Sequence, residues 1–252
     1  MEFLAYLQFD YLAPHLVNLG IFMILAASLD LINGQAGLFS LGHAGFMGVG
    51  AYATAGLVVL GLSGTPVWMQ VPAGLACGVL AGAAFGALVG VPCLRLAGDY
   101  LAIATLGFAA MFESVINVIG PLGQADGFPV GEPTWPHSFV YEYGRPQFVF
   151  FLVLTWVSVA GAFALIANLM RSSHGRAILS IREDELAGQL VGVNLTKYKV
   201  LVFVLGAALA GYAGGLFAMF NRIIAPKEFG LDRTLLLLVM VVLGGLGSLR
   251  GV

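Results

Sequence analysis

The stretch LINGQAGLFSLGHAGFMGVGAYATAGLVVLGLSGTPVWMQVPAGLACGVLAGAAFGALVGVPCL, Leu31 to Leu94, runs for 64 residues without Asp, Glu, Lys or Arg. A helix that crosses a bilayer needs about 20 apolar residues, so this run holds two or three crossings. Thr65-Pro66 and Gln70 to Pro72 are the expected breaks within it. The whole chain of 252 residues is 60% hydrophobic and 10% charged, against about 45–50% and about 25% in soluble domains. So few charges cannot cover a surface in water, which excludes a soluble enzyme and a disordered chain. A net charge of −2 offers no basic field, so no nucleic-acid partner is expected. The fold class read from this is all-α: a polytopic integral membrane helical bundle in contact with lipid, one domain over 1–252.

Working outward, seven spans are predicted, roughly 11–32, 41–62, 71–94, 100–120, 148–170, 200–221 and 234–250. The N-terminal residues carry Glu2 and Asp10 but no Lys or Arg, so no cleavable signal peptide is expected. Segment 171–199 holds Arg171, Arg176, Arg182, Lys197 and Lys199, whereas 121–147 holds three acids and only Arg145. Basic loops favour the cytoplasm, which places 171–199 inside and 121–147 outside. Strict alternation then puts 222–233 outside despite Arg222, Lys227 and Arg233; either that loop is re-entrant or a boundary is misplaced. The last span is short, with 16 residues between Arg233 and Arg250 and Gly244, Gly245 and Gly247 among them.

Glycine placement is ordered. Gly74, Gly78, Gly82, Gly86 and Gly90 recur every four residues through the third span, forming one smooth ridge on a helix. In lipid such a ridge marks a packed helix face, within the subunit or at a dimer seam. Gly206, Ala210 and Gly214, with Gly211 and Gly215, repeat the device in the sixth span. Asn33–Gly50 instead mixes Gly with Asn33, Gln35, Ser40 and His43. That composition suits unwound backbone lining a transport path, and equally an interfacial turn followed by a helix. Ionisable groups at membrane depth are Asp30 and Glu113. A carboxylate at mid-bilayer costs about 2.5–3.5 kcal/mol, so Glu113 serves as a polar contact to another helix or as part of a path. His43 reads as a hydrogen-bonded interior residue rather than a ligand.

Segment 171–199 reads RSSHGRAILSIREDELAGQLVGVNLTKYK. Ser180 followed by Glu183 fits a capping box, with Glu183, Asp184 and Glu185 in the favoured first turn. The spacing predicts a helix over about Ile181–Val191 that ends at Gly192, with Ile181, Leu186 and Leu190 as a partial apolar face. Its acidic first turn argues against anionic lipid and for docking on a cytoplasmic partner. Catalytic and cofactor motifs are absent. No Lys follows a Gly, so no phosphate-cradling loop exists, and Gly48-x-Gly50 has no preceding strand to make a dinucleotide site. Cys77 and Cys93 lie away from any metal-ligand spacing and read as packing residues. No catalytic residue, metal site or cofactor is expected, and ATP hydrolysis would belong to another subunit.

Four blocks resemble the LivM-type permease subunit of branched-chain amino acid ABC importers: GQAGLFSLGHAGFMGVGAY (34–52), GDYLAIATLGF (98–108), GRAILSIREDELAGQLVGVNLTKYK (175–199) and LVMVVLGGLGSLRG (238–251). The resemblance covers roughly Gly20 to the end. It implies a multi-pass permease of the bacterial inner membrane, paired with a LivH-like permease. Two cytoplasmic ATPase subunits and a periplasmic amino-acid-binding protein would complete the importer. Block 175–193 resembles the family's coupling loop. Glu185, Ala187 and Gly192 sit near the importer loop's EAA…G residues, with the Glu-to-Gly spacing one longer. Arg176, Arg182, Glu183 and Asp184 are then the polar residues expected at the ATPase surface. Family members usually carry a further span before 11–32 and more chain after 251, so the resemblance implies a fragment or a short form. The implied cargo is Leu, Ile and Val, with urea or short amides as the rival. A different class, an ATP-independent secondary carrier or channel, is the reading suggested by the polar Gly-rich segment and Glu113.

Overall fold

The computed structural model describes residues 2–94, 99–119, 127–130 and 145–248, with 2–11, 99 and 145–147 as backbone. The elements are α1 (Glu2–Asp30), a π-helical turn (Leu31–Gln35), α2 (His43–Gly61), α3 (Val67–Cys93), α4 (Asp99–Val118), β1 (Phe128–Pro129), α5 (Arg145–Arg171), α6 (Ser173–Glu183), α7 (Glu185–Leu190), α8 (Leu195–Asn221), β2 (Ile223–Ile224), a 3-10 turn (Pro226–Phe229) and α9 (Leu231–Gly244). Among the described residues, six helices are long and apolar enough to cross a membrane: Leu12–Gln35, His43–Gly61, Val67–Cys93, Tyr100–Val118, Phe148–Arg171 and Leu195–Asn221. They coincide with the first six predicted spans.

The seventh differs. The predicted span 234–250 is a helix of 14 residues, about 21 Å at 1.5 Å per residue and too short for the roughly 30 Å hydrocarbon layer. The chain enters the bundle core just before this helix starts. Phe229 is fully buried, with its ring 6.0 Å from those of both Tyr52 and Phe217. Segment 222–233 thus packs Phe229 into the bundle. Its basic residues are also accommodated. Arg233 lies over the rings of Phe22 and Phe217, at 5.0 and 5.8 Å, and donates from Nε to the Glu228 carbonyl at 3.1 Å. Stacking on aromatic faces is a role guanidinium performs well.

β1 and β2 pair antiparallel, Phe128 with Ile224 and Pro129 with Ile223. Phe128–Pro129 and Ile223–Ile224, from the two segments assigned to one side by alternation, thus lie together. Thr65-Pro66 does break the chain, since Pro66 precedes the first residue of α3 in extended geometry. Gln70 to Pro72 does not, because both residues lie inside α3. Pro72 costs that helix one backbone bond without ending it. Gln70 is buried and donates to the carbonyls of Leu62 and Thr65, tying the turn onto the helix.

The centre of the bundle is α2, α3 and α8, which make the most extensive contacts in the chain. Backbones approach closely there because the side chains are missing. A Cβ at Gly82 would run into the Ala207 carbonyl, and one at Gly50 into the backbone of Gly211. At Gly78 it would stand 2.8 Å from the Gly211 oxygen, and at Gly90 2.7 Å from the Phe203 ring. At Gly86 it would meet the Ala207 methyl, and at Gly74 the Met219 side chain. The five-glycine ridge of α3 therefore faces α8 within the same subunit. Phe46 fills the space beside this contact, its ring 5.0 Å from Phe108 and 5.5 Å from Phe203.

Candidate functional site

Two clusters carry the chemistry, and they meet at one end of the bundle. The first begins where α1 loosens. After Asp30 the helix widens into the π turn, and residues 36–42 follow no regular pattern before α2 starts at His43. All four polar residues predicted for this stretch are buried. Asn33 and Ser40 bond reciprocally across the irregular loop: the Ser40 N–H donates to Asn33 Oδ1 at 3.0 Å, and Asn33 Nδ2 to the Ser40 carbonyl at 3.3 Å. The Leu41 N–H donates to Thr105 Oγ1 on α4 at 3.0 Å. Gln35 Nε2 donates to the Gly247 carbonyl at 2.7 Å and to Asp30 Oδ2 at 3.3 Å. The bonds at Ser40 and Leu41 satisfy backbone groups that the broken helix leaves without ladder partners, as buried unwound chain requires.

His43 lies at the start of α2 with Nε2 2.6 Å from Ser28 Oγ. Ser28 gives its single proton to the Leu25 carbonyl at 2.7 Å, so the imidazole donates from Nε2 and leaves Nδ1 as an acceptor. Among the described residues, His43 Nδ1 and Ser40 Oγ find no partner. Ser28→Ala should leave both ring nitrogens unpaired. A buried unsatisfied polar group costs about 1–3 kcal/mol, so the detergent-solubilised variant is expected to unfold at a lower temperature, and an unchanged midpoint would remove His43 from this network.

Glu113, the fifth path candidate, does not join this group. It stands eight residues beyond Thr105 along α4, about 12 Å further at 1.5 Å per residue. Its carboxylate lies against Gly230, where a Cβ would be 2.6 Å from Oε2. Gly230 is the residue that precedes α9, so a negative group at this point complements that helix's N-terminal dipole.

The second cluster is the exposed segment between α5 and α8. One helix was expected over Ile181–Val191; the structure has two, α6 and α7, broken at Asp184. Ser180 is not a cap. It lies inside α6, where its hydroxyl bonds back to the Ala177 carbonyl at 2.8 Å. The caps are Ser172, which accepts from the Gly175 N–H, and Asp184, whose carboxylate accepts from Leu186 and Ala187 N–H at 2.8 and 3.1 Å. An extended Asp184 (φ −156, ψ 112) is a better first acceptor than a serine already committed to the preceding helix. Gly192 does terminate α7. With φ +85 it donates to the Gln189 carbonyl while Val193 donates to Gly188, a paired closure that favours glycine.

Arg176, Arg182, Glu183, Asp184, Glu185, Ala187 and Gly192 are all exposed. Of the predicted apolar face, Leu186 and Leu190 are exposed but Ile181 is buried, because the break at Asp184 rotates α7 relative to α6. Ile178 and Ile181 point inward and line one small space with Ala36, Tyr198 and Val202. Glu185 pairs with Lys199 at the start of α8. Arg182 differs from the other six in also reaching inward. A Cβ at Gly37 would lie 3.2 Å from Arg182 Cγ, and one at Gly247 2.8 Å from Nη1.

Several contributors escaped the sequence reading. Asp30 was legible as an intramembrane acid, but nothing in the sequence connects it to Gly247, 217 positions away. Gly175 has no room for a side chain beside Met170, and Gly42 none beside Thr105. Lone glycines outside a periodic ridge carry no signal of that kind.

The comparisons with known proteins agree with one another. A family model described as "Branched-chain amino acid transport system / permease component" matches residues 11–252. The "High-affinity branched-chain amino acid transport system permease protein LivM" of Salmonella typhimurium is 34% identical over 249 residues, 90% of this chain and 57% of that protein. The "Probable branched-chain amino acid transport permease protein LivM" of Methanocaldococcus jannaschii is 25% identical over 98% of the chain and 78% of its own length. The corresponding LivH of Salmonella typhimurium is 24% identical over 97% and 82%. The chain thus spans little more than half the length of the first of these relatives. No solved structure matches it.

Proposed function

Because the chain belongs to the permease-component family of branched-chain amino acid transport systems, we propose that it is a membrane subunit of an ATP-binding-cassette importer that moves Leu, Ile and Val into the cytoplasm. A LivH-like permease is its membrane partner, two ATPase subunits dock on the α6–α7 end, and a periplasmic binding protein delivers cargo to the opposite end. The membrane is the bacterial inner membrane.

The observation that carries this reading is the mounting of α6 and α7. A pair of capped helices presents seven polar or small residues outward, while Ile178 and Ile181 seat the same element beside the irregular stretch after α1. Force applied to the exposed face then reaches buried backbone directly. The unwound stretch supports a gating role, because Ser40 Oγ and His43 Nδ1 are buried polar atoms available to water or a zwitterion once the segment opens. Asn33, Gln35, Ser40 and His43 are the path residues of this proposal, and Arg176, Arg182, Glu183, Asp184, Glu185, Ala187 and Gly192 are its ATPase-facing residues. Glu113, set against Gly230, acts as an interhelical contact.

The test is competition uptake in vesicles holding this chain with its partner subunits. ATP-dependent uptake of labelled leucine should be blocked by excess isoleucine and valine, and not by urea. Urea uptake in place of leucine would replace the cargo and keep the coupling. Uptake that survives ATP depletion and collapses with the ion gradient would instead make the protein part of a secondary carrier.

A further inference from the structure

Asp30 is completely buried, and a carboxylate held in a membrane interior needs partners. Oδ1 accepts the Gly247 N–H at 2.7 Å and Oδ2 accepts from Gln35 at 3.3 Å. Gln35 closes the ring by donating to the Gly247 carbonyl at 2.7 Å. One carboxylate thus joins the end of α1, the π turn and the turn that follows α9. The contact leaves no room for side chains. A Cβ at Gly34 would collide with both Asp30 and the Gly247 nitrogen, and Gly247 itself has φ +82.

Arg182 covers this ring from outside. Its stem packs on Gly37, which has φ +67, and its guanidinium lies beside Gly247. Arg182 belongs to α6, the element assigned to the ATPase-facing surface, and Gly37 belongs to the irregular stretch. Hydrogen bonds through Asp30 and Gln35 therefore hold the end of α1, with its π turn, to the turn after α9, and Arg182 of α6 packs over both Gly37 and Gly247.

We propose that Asp30, Gln35 and the turn at Gly247 form a clasp beneath Arg182 that makes α6 and the unwound segment 36–42 move as one body, with Asp30 as the positioning residue. The inference rests on the importer reading, since it concerns how ATP-driven movement of α6 reaches the path. Both carboxylate oxygens of Asp30 are committed, to the Gly247 N–H and to Gln35. Its part is to keep the end of α1 and the turn after α9 in register with the helix that is pushed.

The experiment uses the assembled importer in proteoliposomes and compares leucine uptake with ATP hydrolysis. Asp30→Ala should still co-purify with the ATPase subunits and support hydrolysis, while leucine moved per ATP falls within the 5- to 150-fold range typical of a lost coupling. Gln35→Ala, which keeps the Asp30–Gly247 bond, should show a smaller loss and serves if Asp30→Ala fails to accumulate; because Gln35 is also a path residue of the proposed function, only the part of its loss that the covalent link below restores counts for the clasp. A covalent link supplies the decisive arm. A Cβ at Gly37 would lie 3.8 Å from Arg182 Cβ, the usual Cβ separation in a disulfide, about 3.8 Å. With Cys77→Ala and Cys93→Ala removing the free thiols, Gly37→Cys with Arg182→Cys can be oxidised or reduced at fixed composition. Oxidation should restore leucine per ATP in the Asp30→Ala or Gln35→Ala background, and dithiothreitol should abolish the gain. An unchanged ratio in Asp30→Ala, or a fully formed disulfide that restores nothing in either background, would overturn the clasp. ATP-independent uptake by the unsubstituted assembly would instead overturn the importer reading and the clasp with it.

Discussion

Gly82→Leu is expected to sharply reduce the yield of monodisperse detergent-extracted protein. The ridge of α3 meets α8 at backbone, and a Cβ at position 82 would run into the Ala207 carbonyl and stand 3.0 Å from the Gly211 Cα. Backbone cannot swing aside as a side-chain tip can. Adding methylenes to a filled interior costs about 1–3 kcal/mol, and a leucine here brings four carbons to a place that excludes the first. Gly107 on α4 provides the comparison, because nothing lies within 4 Å of a Cβ there. Gly107→Leu should accumulate at least as well as the parent, since leucine outranks glycine in helix propensity by about 0.8–1 kcal/mol. Size-exclusion profiles of the two variants decide the matter. Equal yields would mean that the α3–α8 contact does not exist as described.

Glu185→Lys should have a large effect of another kind: leucine uptake falls more than about tenfold, within the usual span of coupling energies, while membrane insertion and yield stay near the parent's. The reasoning turns on magnitude. The Glu185 side chain is 54% exposed and that of its partner Lys199 15%, so the pair opens to solvent through the carboxylate and contributes about 1 kcal/mol. Reversing the charge therefore cannot unfold a bundle whose core lies elsewhere. What it does change is the exposed face that the proposed function assigns to an ATPase subunit, beside the Asp184 that caps α7. Uptake and ATP hydrolysis measured on the same vesicles separate the two roles. Parent-level uptake by Glu185→Lys would remove α7 from the coupling surface, whereas loss of protein from the membrane would make the residue structural.

How much was legible varied with the range of the interaction. The first six spans and the break at Thr65-Pro66 follow from runs of apolar residues and from one proline. The glycine period of α3 identified a packed face but left its partner open between this subunit and a second one; the backbones of Ala207 and Gly211 supply the answer. Gly192 was legible as a helix end because positive φ at a terminus favours glycine locally. Ser180 was misread for a related reason. A Ser-x-x-Glu spacing occurs inside helices as well as before them, and only the extended backbone at Asp184 shows where the new helix starts.

The sequence by itself therefore determined the class of the protein, its first six long apolar helices and the location of the exposed segment between α5 and α8. Each of these depends on hydropathy, periodicity or residue type within a few turns of chain. The tertiary structure alone decided that Phe229 carries the last loop into the core before the 14-residue α9 begins. It also decided that Glu113 faces Gly230 rather than His43, and that Asp30 closes on Gly247 under Arg182. These outcomes hang on pairs far apart in sequence, whose meeting is set by how the helices pack and not by any local preference of the residues involved.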